Sequence, residues 1–219
     1  NLVLVLGSGI STECGLPDWD TLLQKLLLRL EFSDSDSEDQ SLVIAKIYNK
    51  LFNPSPLIAA RYIRNNYEKY SSKNKKIWFE KFVRNSLYEG KTSDDASIFK
   101  EIYQLCLGGH GGPTIDSIIT YNFDDLLESY LEKMKVPSKA IYSEGMSCSR
   151  RQTPIYHVHG YLPRGDLNKN HKIILSEDMY HRQYSEIYSW SNLLQINTFK
   201  DKTCLFIGFS LSDPNSRRL

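Results

Sequence analysis

The chain has few cysteines, and none of them pair in sequence. Cys14, Cys106, Cys148 and Cys204 are scattered over 219 residues with no C-x-x-C among them. That spacing argues against a disulfide framework and against the four clustered ligands of a structural zinc site. Sparse thiols fit a reducing, cytoplasmic compartment. No apolar run approaches the roughly 20 residues that a membrane helix needs. The N-terminus has no basic region ahead of an apolar one, so no signal peptide is read there. Excess charge of one sign is lacking too: 27 Lys and Arg stand against 26 Asp and Glu, a net charge of +1. No global field therefore points to a nucleic-acid partner.

What is present is an ordinary globular composition, 41% hydrophobic and 24% charged, of a length that suits one α/β domain or one domain with a sizeable insertion. Leu2 to Leu6 is a continuous apolar run, the pattern of a strand buried on both faces. Ile115 to Tyr121, Ile155 to His159, Ile173 to Leu175 and Cys204 to Ile207 read as further strands. Trp19, Leu22, Leu23, Leu26, Leu27 and Leu30 recur at helical spacing, and Asp18 can cap that helix. After the acidic, Ser-rich stretch Ser33 to Asp39, helices are predicted over 42–52, 56–70, 76–88 and 97–107. They suggest a helical insertion over about 33–110. A helix from Asp124 carries Leu126, Leu127, Tyr130, Leu131 and Met134 on one face. Helical segments follow Leu175 as far as Lys200. Alternating strands and helices predict a Rossmann-like, doubly wound, mainly parallel sheet. Asn1 opens directly into a strand and Pro214 to Leu219 reads as a helix just starting, which suggests an N-terminal fragment of a longer multidomain protein.

In such sheets, ligands sit beyond the carboxyl ends of the strands. The unusual residues stand at those ends: Gly7-Ser8-Gly9 after the first strand, Asn122 and Asp124 after the second, His159-Gly160 after the third, Gly208-Phe209-Ser210 after the last. Glycines at 7 and 9 let backbone N–H groups approach a diphosphate. The hydride-transfer fingerprint G-x-G-x-x-G is incomplete, because position 12 is Thr. Asn122 can orient a water or a hydroxyl, or simply cap the helix that follows. His157 and His159, alternating on a strand, should face one side. No third ligand stands at a telling distance, so no metal is expected.

The set of motifs is more specific than its members. Gly7-Ser8-Gly9-Ile10-Ser11 followed by Gly15-Leu16-Pro17-Asp18-Trp19 is similar to the sirtuin pattern G-A-G-I-S … G-I-P-D-F-R. Thr120-Tyr121-Asn122-Phe123-Asp124 resembles T-Q-N-x-D, His159-Gly160 the family's H-G, and Gly208-Phe209-Ser210-Leu211 its G-T-S-L. The order is the family's, and the motifs span positions 7 to 211. The resemblance implies NAD as substrate. It implies NAD contacts from Gly7, Ser8, Gly9, Ile10, Ser11, Pro17, Asp18, Trp19, Asp124, Gly208, Phe209 and Ser210. Within that set, Gly7 to Ser11 and Ser210 would hold the diphosphate, Trp19 would cover the reacting ribose, and Asp124 would hydrogen-bond the carboxamide of nicotinamide. Asn122 would position a water against the ribose, with His159 as general base and His157 structural.

Two departures refine the expectation. No cysteine follows Gly160 before the next predicted strand, where deacylating sirtuins carry a zinc module. Asp20 stands in place of the family's Arg. The combination resembles sirtuin-like NAD hydrolase domains at the N-termini of bacterial anti-phage proteins. It implies a homo-oligomer that is triggered by a protein partner or an attached sensor region. The competing expectations are an NAD-dependent deacylase or ADP-ribosyl transferase, and a catalytically silent NAD or ADP-ribose binder.

Overall fold

The computed structural model describes residues 2–31, 55–70, 75–93, 96–107 and 115–209. Its frame is a five-stranded sheet: β1 (Leu2–Leu6), β2 (Ile115–Thr120), β3 (Ser138–Ile141), β4 (Thr153–His157) and β5 (Thr203–Ile207). Every pairing is parallel, in the order β3-β4-β2-β1-β5. This is the Rossmann-like α/β architecture that the alternation of elements predicts.

Around the sheet lie α1 (Gly9–Glu13), α2 (Trp19–Glu31), α3 (Pro56–Tyr70), α4 (Lys75–Leu87), α5 (Ser97–Leu107), α6 (Leu126–Lys133), α7 (Glu177–Ser185) and α8 (Trp190–Asp201). The side-chain alternation of β1 splits the interior into two layers. Leu4 and Leu6 join Ile118 and Ile155 beneath the buried faces of α2 to α6, including Leu22, Leu26, Ile63, Val83, Phe99, Ile102, Leu126 and Leu131. Val3 and Val5 join Ile119, Tyr121 and Val158 on the other face, with Leu194 and Phe199 of α8 against them.

Helix α8 is inverted relative to the usual amphipathic pattern. Its buried residues are Ser191, Asn192, Gln195 and Thr198, while Leu193 and Ile196 are each 40% exposed. The polar face is satisfied by hydrogen bonds: Asn192 Nδ2 donates to the Gln183 and Glu186 carbonyls, and the Tyr121 hydroxyl donates to Gln195 Oε1.

Most predicted elements are found with small boundary shifts. The differences are physical. The segment Ile173 to Leu175 is not a strand of the sheet; Ile173 makes an isolated antiparallel bridge to Gly160. β4 begins at Thr153 and ends at His157, so His159 lies beyond it in a turn. β3 escapes the sequence reading because Ser138-Lys139-Ala140-Ile141 is a short edge strand with one buried residue. Met134 is 37% exposed, one position past the end of α6. The helix predicted over 42–52 and the acidic stretch before it lie outside the described residues, as does the side chain of Trp78.

The start of α2 follows the predicted chemistry. Asp18 Oδ1 accepts from the Thr21 amide at 2.8 Å, satisfying one of the helix's orphan donors. Asp18→Ala is expected to cost about 1 kcal/mol, lowering the melting temperature by about 2–4 °C; differential scanning fluorimetry reads it directly.

Candidate functional site

Register brings the strand ends together. Leu6 pairs with Thr120 and with Ile207, and Thr120 pairs with His157. The four strands therefore end level with one another, and the chain leaves the sheet side by side at Gly7, Tyr121, Val158 and Gly208. Asn122, at the centre of this edge, is partly buried.

The Asn122 side chain is held on both amide hydrogens. Its Nδ2 donates to the Gly7 carbonyl at 3.0 Å and to Ser11 Oγ at 2.9 Å. A carbonyl can only accept, so the contact with Gly7 fixes which end of the carboxamide is nitrogen. The Ser11 hydroxyl in turn donates to Asp124 Oδ2 at 2.7 Å. Oδ1 of the same carboxylate accepts from the Leu126 amide at 3.2 Å. Asn122 does not cap α6; Asp124 supplies that acceptor instead. With both hydrogens engaged, Asn122 offers a ligand its carbonyl oxygen, an acceptor.

Asp124 is 8% exposed. Burial pushes its carboxyl up to about 6, with the neighbouring Glu128 adding to the rise, while the hydrogen bonds from Ser11 and Leu126 and the nearby His157 oppose it. A small cavity collects these groups. Ser11, Thr120, Asn122, Asp124, Glu128 and His157 supply its polar lining, and Leu6, Ile10 and Phe99 are among its apolar walls.

The two strand-end histidines part company. His157 turns to the α1–α6 side and is 1% exposed. Its Nδ1 meets the Asn122 carbonyl at 3.0 Å and its Nε2 meets Glu128 Oε1 at 2.6 Å. His159, beyond the strand, lies edge-on to the Tyr121 ring at 4.7 Å between centroids. The Tyr180 hydroxyl is 3.3 Å from its Nδ1. Tyr121 belongs to the layer on the opposite sheet face, so the expectation that both imidazoles face one side is corrected: strand alternation stops at His157. The cavity gathers Asn122 with His157; His159 sits in the neighbouring aromatic group with Tyr121 and Tyr180.

The comparisons with known proteins bear on this arrangement. Residues 116–219, which hold Asn122, both histidines and β5, match the SIR2-like domain family. The C-terminal part of the chain is thus similar to SIR2-like domains. Across 228 aligned positions, 98% of the chain is 24% identical to the NAD(+) hydrolase ThsA of Acinetobacter baumannii (strain 532279). The chain spans 37% of the length of that relative.

The other motif residues stand in the loops that follow β1 and β5 and at the start of α2. Ser8 and Gly9 are exposed, Ile10 is buried, and Pro17 and Trp19 are partly buried. Trp19 packs tilted against Phe123, 6.2 Å between ring centroids. Gly208 and Phe209 lie against the first loop; Ser210 is outside the described residues. The glycines have a reason that the sequence reading missed. A Cβ on Gly7 would come 2.5 Å from the Gly208 carbonyl oxygen, and one on Gly9 would come 2.9 Å from Gly208 Cα. The Gly9 amide donates to the Gly208 carbonyl at 3.0 Å. The first and last loops are thus pressed backbone to backbone.

After Gly160, where deacylating sirtuins carry a zinc module, this chain has a short, heavily tied loop. The Leu162 amide donates to the Phe123 carbonyl at 2.6 Å, and the Tyr88 hydroxyl donates to the Leu162 carbonyl at 2.9 Å. Arg164 donates through its backbone amide and its Nε to the Asp125 carboxylate, each at 2.9 Å. Among the described residues, no group of three or more His, Cys, Asp or Glu is placed to hold a metal ion. No helix among them is long and apolar enough to cross a membrane.

Proposed function

We propose that this domain cleaves the nicotinamide–ribose bond of NAD, with water as acceptor, to give nicotinamide and ADP-ribose. The observation that carries the reading is the fixed carboxamide of Asn122, set where four strand-end loops meet and left with only an acceptor to present. The relative's name, an NAD(+) hydrolase, agrees with it.

The chemistry follows from the charges. Nicotinamide leaves as a neutral molecule from a cationic ring, and the sugar develops oxocarbenium character, as in glycoside cleavage. The Asn122 oxygen accepts a hydrogen bond from a ribose hydroxyl or from the attacking water. A fixed acceptor stabilises a centre that is gaining positive charge, and it needs no reorganisation to do so. Gly7 to Ser11 and Gly208 to Ser210 receive the diphosphate, and Pro17 to Trp19 cover the reacting ribose. Asp124 serves the site through Ser11 as well as through the carboxamide contact. His159 accepts the proton released by the nucleophile, with Tyr180 at Nδ1 orienting its ring.

The same reading places the reaction in bacterial anti-phage defence, where NAD depletion follows a trigger sensed by a partner protein or an attached region and the domain works as a homo-oligomer. The test is free nicotinamide produced from NAD by the purified protein, with and without an acyl-peptide acceptor. Release independent of acceptor is expected, falling about 10²-fold or more in His159→Ala. Release that requires the acceptor would instead make the domain a transferase or deacylase. NAD binding without turnover under any activating condition would make it a binding module.

A further inference from the structure

The sequence assigns His157 no chemistry, and it assigns Glu128 nothing at all. The structure gives both a task. His157 is buried with its two ring nitrogens engaged, Nδ1 on the Asn122 backbone carbonyl and Nε2 on Glu128 Oε1. The carbonyl is an acceptor only, so Nδ1 must carry a hydrogen. A second proton then lies between Nε2 and Oε1, at a separation of 2.6 Å, short enough for a charge-assisted bond. Burial disfavours the imidazolium, but the Glu128 carboxylate, the Asn122 carbonyl and Asp124 together outweigh it and raise the His157 pKa. The Tyr161 ring, 4.4 Å away between centroids, covers the imidazole.

We propose that His157 and Glu128 form a protonated tether that sets the backbone of Asn122, making them positioning residues for its carboxamide. Asn122 is then held at both ends. His157 on β4, backed by Glu128 on α6, grips its peptide carbonyl; Gly7 and Ser11 grip its side chain, with Asp124 behind Ser11. The tether ties the end of β2 to the neighbouring strand and to the helix behind it. Neither residue needs to touch substrate: with both imidazole nitrogens engaged, His157 has no lone pair to offer as a base. This assignment rests on the role of Asn122 proposed above, but the tether can be tested without turnover.

The experiment follows hydrogen exchange of the Asn122 carboxamide protons by NMR in the full chain, comparing wild type with Glu128→Gln and His157→Gln. The Asn192 carboxamide, held by the Gln183 and Glu186 carbonyls, is the internal control. The expected result is exchange at Asn122 faster by about tenfold, the effect of losing one charge-assisted hydrogen bond, with Asn192 unchanged. Nicotinamide release should show kcat lower by about tenfold, KM for NAD near its wild-type value, and no further loss when Glu128→Gln is added to Asn122→Ala. Unchanged exchange at Asn122 overturns the tether. Equal acceleration at Asn192 also overturns it, because that is general loosening. If the wild type releases no nicotinamide, the proposed activity fails while the exchange data still decide the tether.

Discussion

Asn122→Ala is expected to lower the rate of nicotinamide release from NAD by about 10²-fold or more, the usual cost of removing one fixed polar group aimed at developing charge. The accompanying loss of stability should be small, about 1 kcal/mol. The partners of the lost side chain keep other bonds: the Gly7 carbonyl still accepts from the Ile10 amide at 3.2 Å, and Ser11 still donates to Asp124. Asn122→Asp should be no better. It restores the oxygen but cannot donate to Gly7 or Ser11, and it adds a carboxylate close to Asp124, whose own pKa is already pushed up to about 6. A coupled assay of free nicotinamide, run beside thermal melts of both variants, separates chemistry from folding. Wild-type turnover in Asn122→Ala would sink the proposed mechanism.

Gly160→Ala is expected to be the most damaging single-methyl change. The residue sits at φ +106°, a conformation that side-chain-bearing residues rarely adopt. An added Cβ would lie 1.9 Å from the Lys172 carbonyl oxygen and 2.7 Å from Ile173 Cα. Both are backbone, so relief requires moving the loop. The cost should be about 3–4 kcal/mol, a fall in melting temperature of about 10 °C. The same movement would disturb the Ile174 amide, which donates to the His159 carbonyl at 2.7 Å, so activity should fall even well below the melt. A melting temperature within about 2 °C of wild type would show that the turn is softer than its geometry indicates.

The sequence carried the frame well. A run such as Leu2 to Leu6 has no polar residue, so it can only be a strand covered on both faces or a buried helix, and its length decides for the strand. Leu22, Leu23 and Leu26 announce α2 in the same way. Motif order placed Gly7, Asn122, His159 and Gly208 at the sheet's carboxyl edge, and strand register explains why they arrive together. Two things were not legible. Which way an imidazole turns after a strand ends depends on the turn, so alternation could not separate His157 from His159. Nor could a motif reveal Glu128, whose significance comes from one turn of α6 passing beside β4. The glycines carried a third ambiguity. A phosphate loop and a backbone-to-backbone contact both demand a missing Cβ, and only coordinates identify Gly208 as the neighbour.

The pairing of β1 with β2 skips a residue, Leu2 lying opposite Ile115 and Val3 opposite Ser117. The extra residue, Asp116, works as a spacer. It lets the rest of β2 slide by one step, so that Thr120 stands level with Leu6. Length changes in this strand are therefore unequal in effect. Removing Asp116 would straighten the ladder and keep every downstream partner. Removing a residue between Ser117 and Thr120 would turn the Asn122 carboxamide to the far side of the sheet and bring Phe123 into its place.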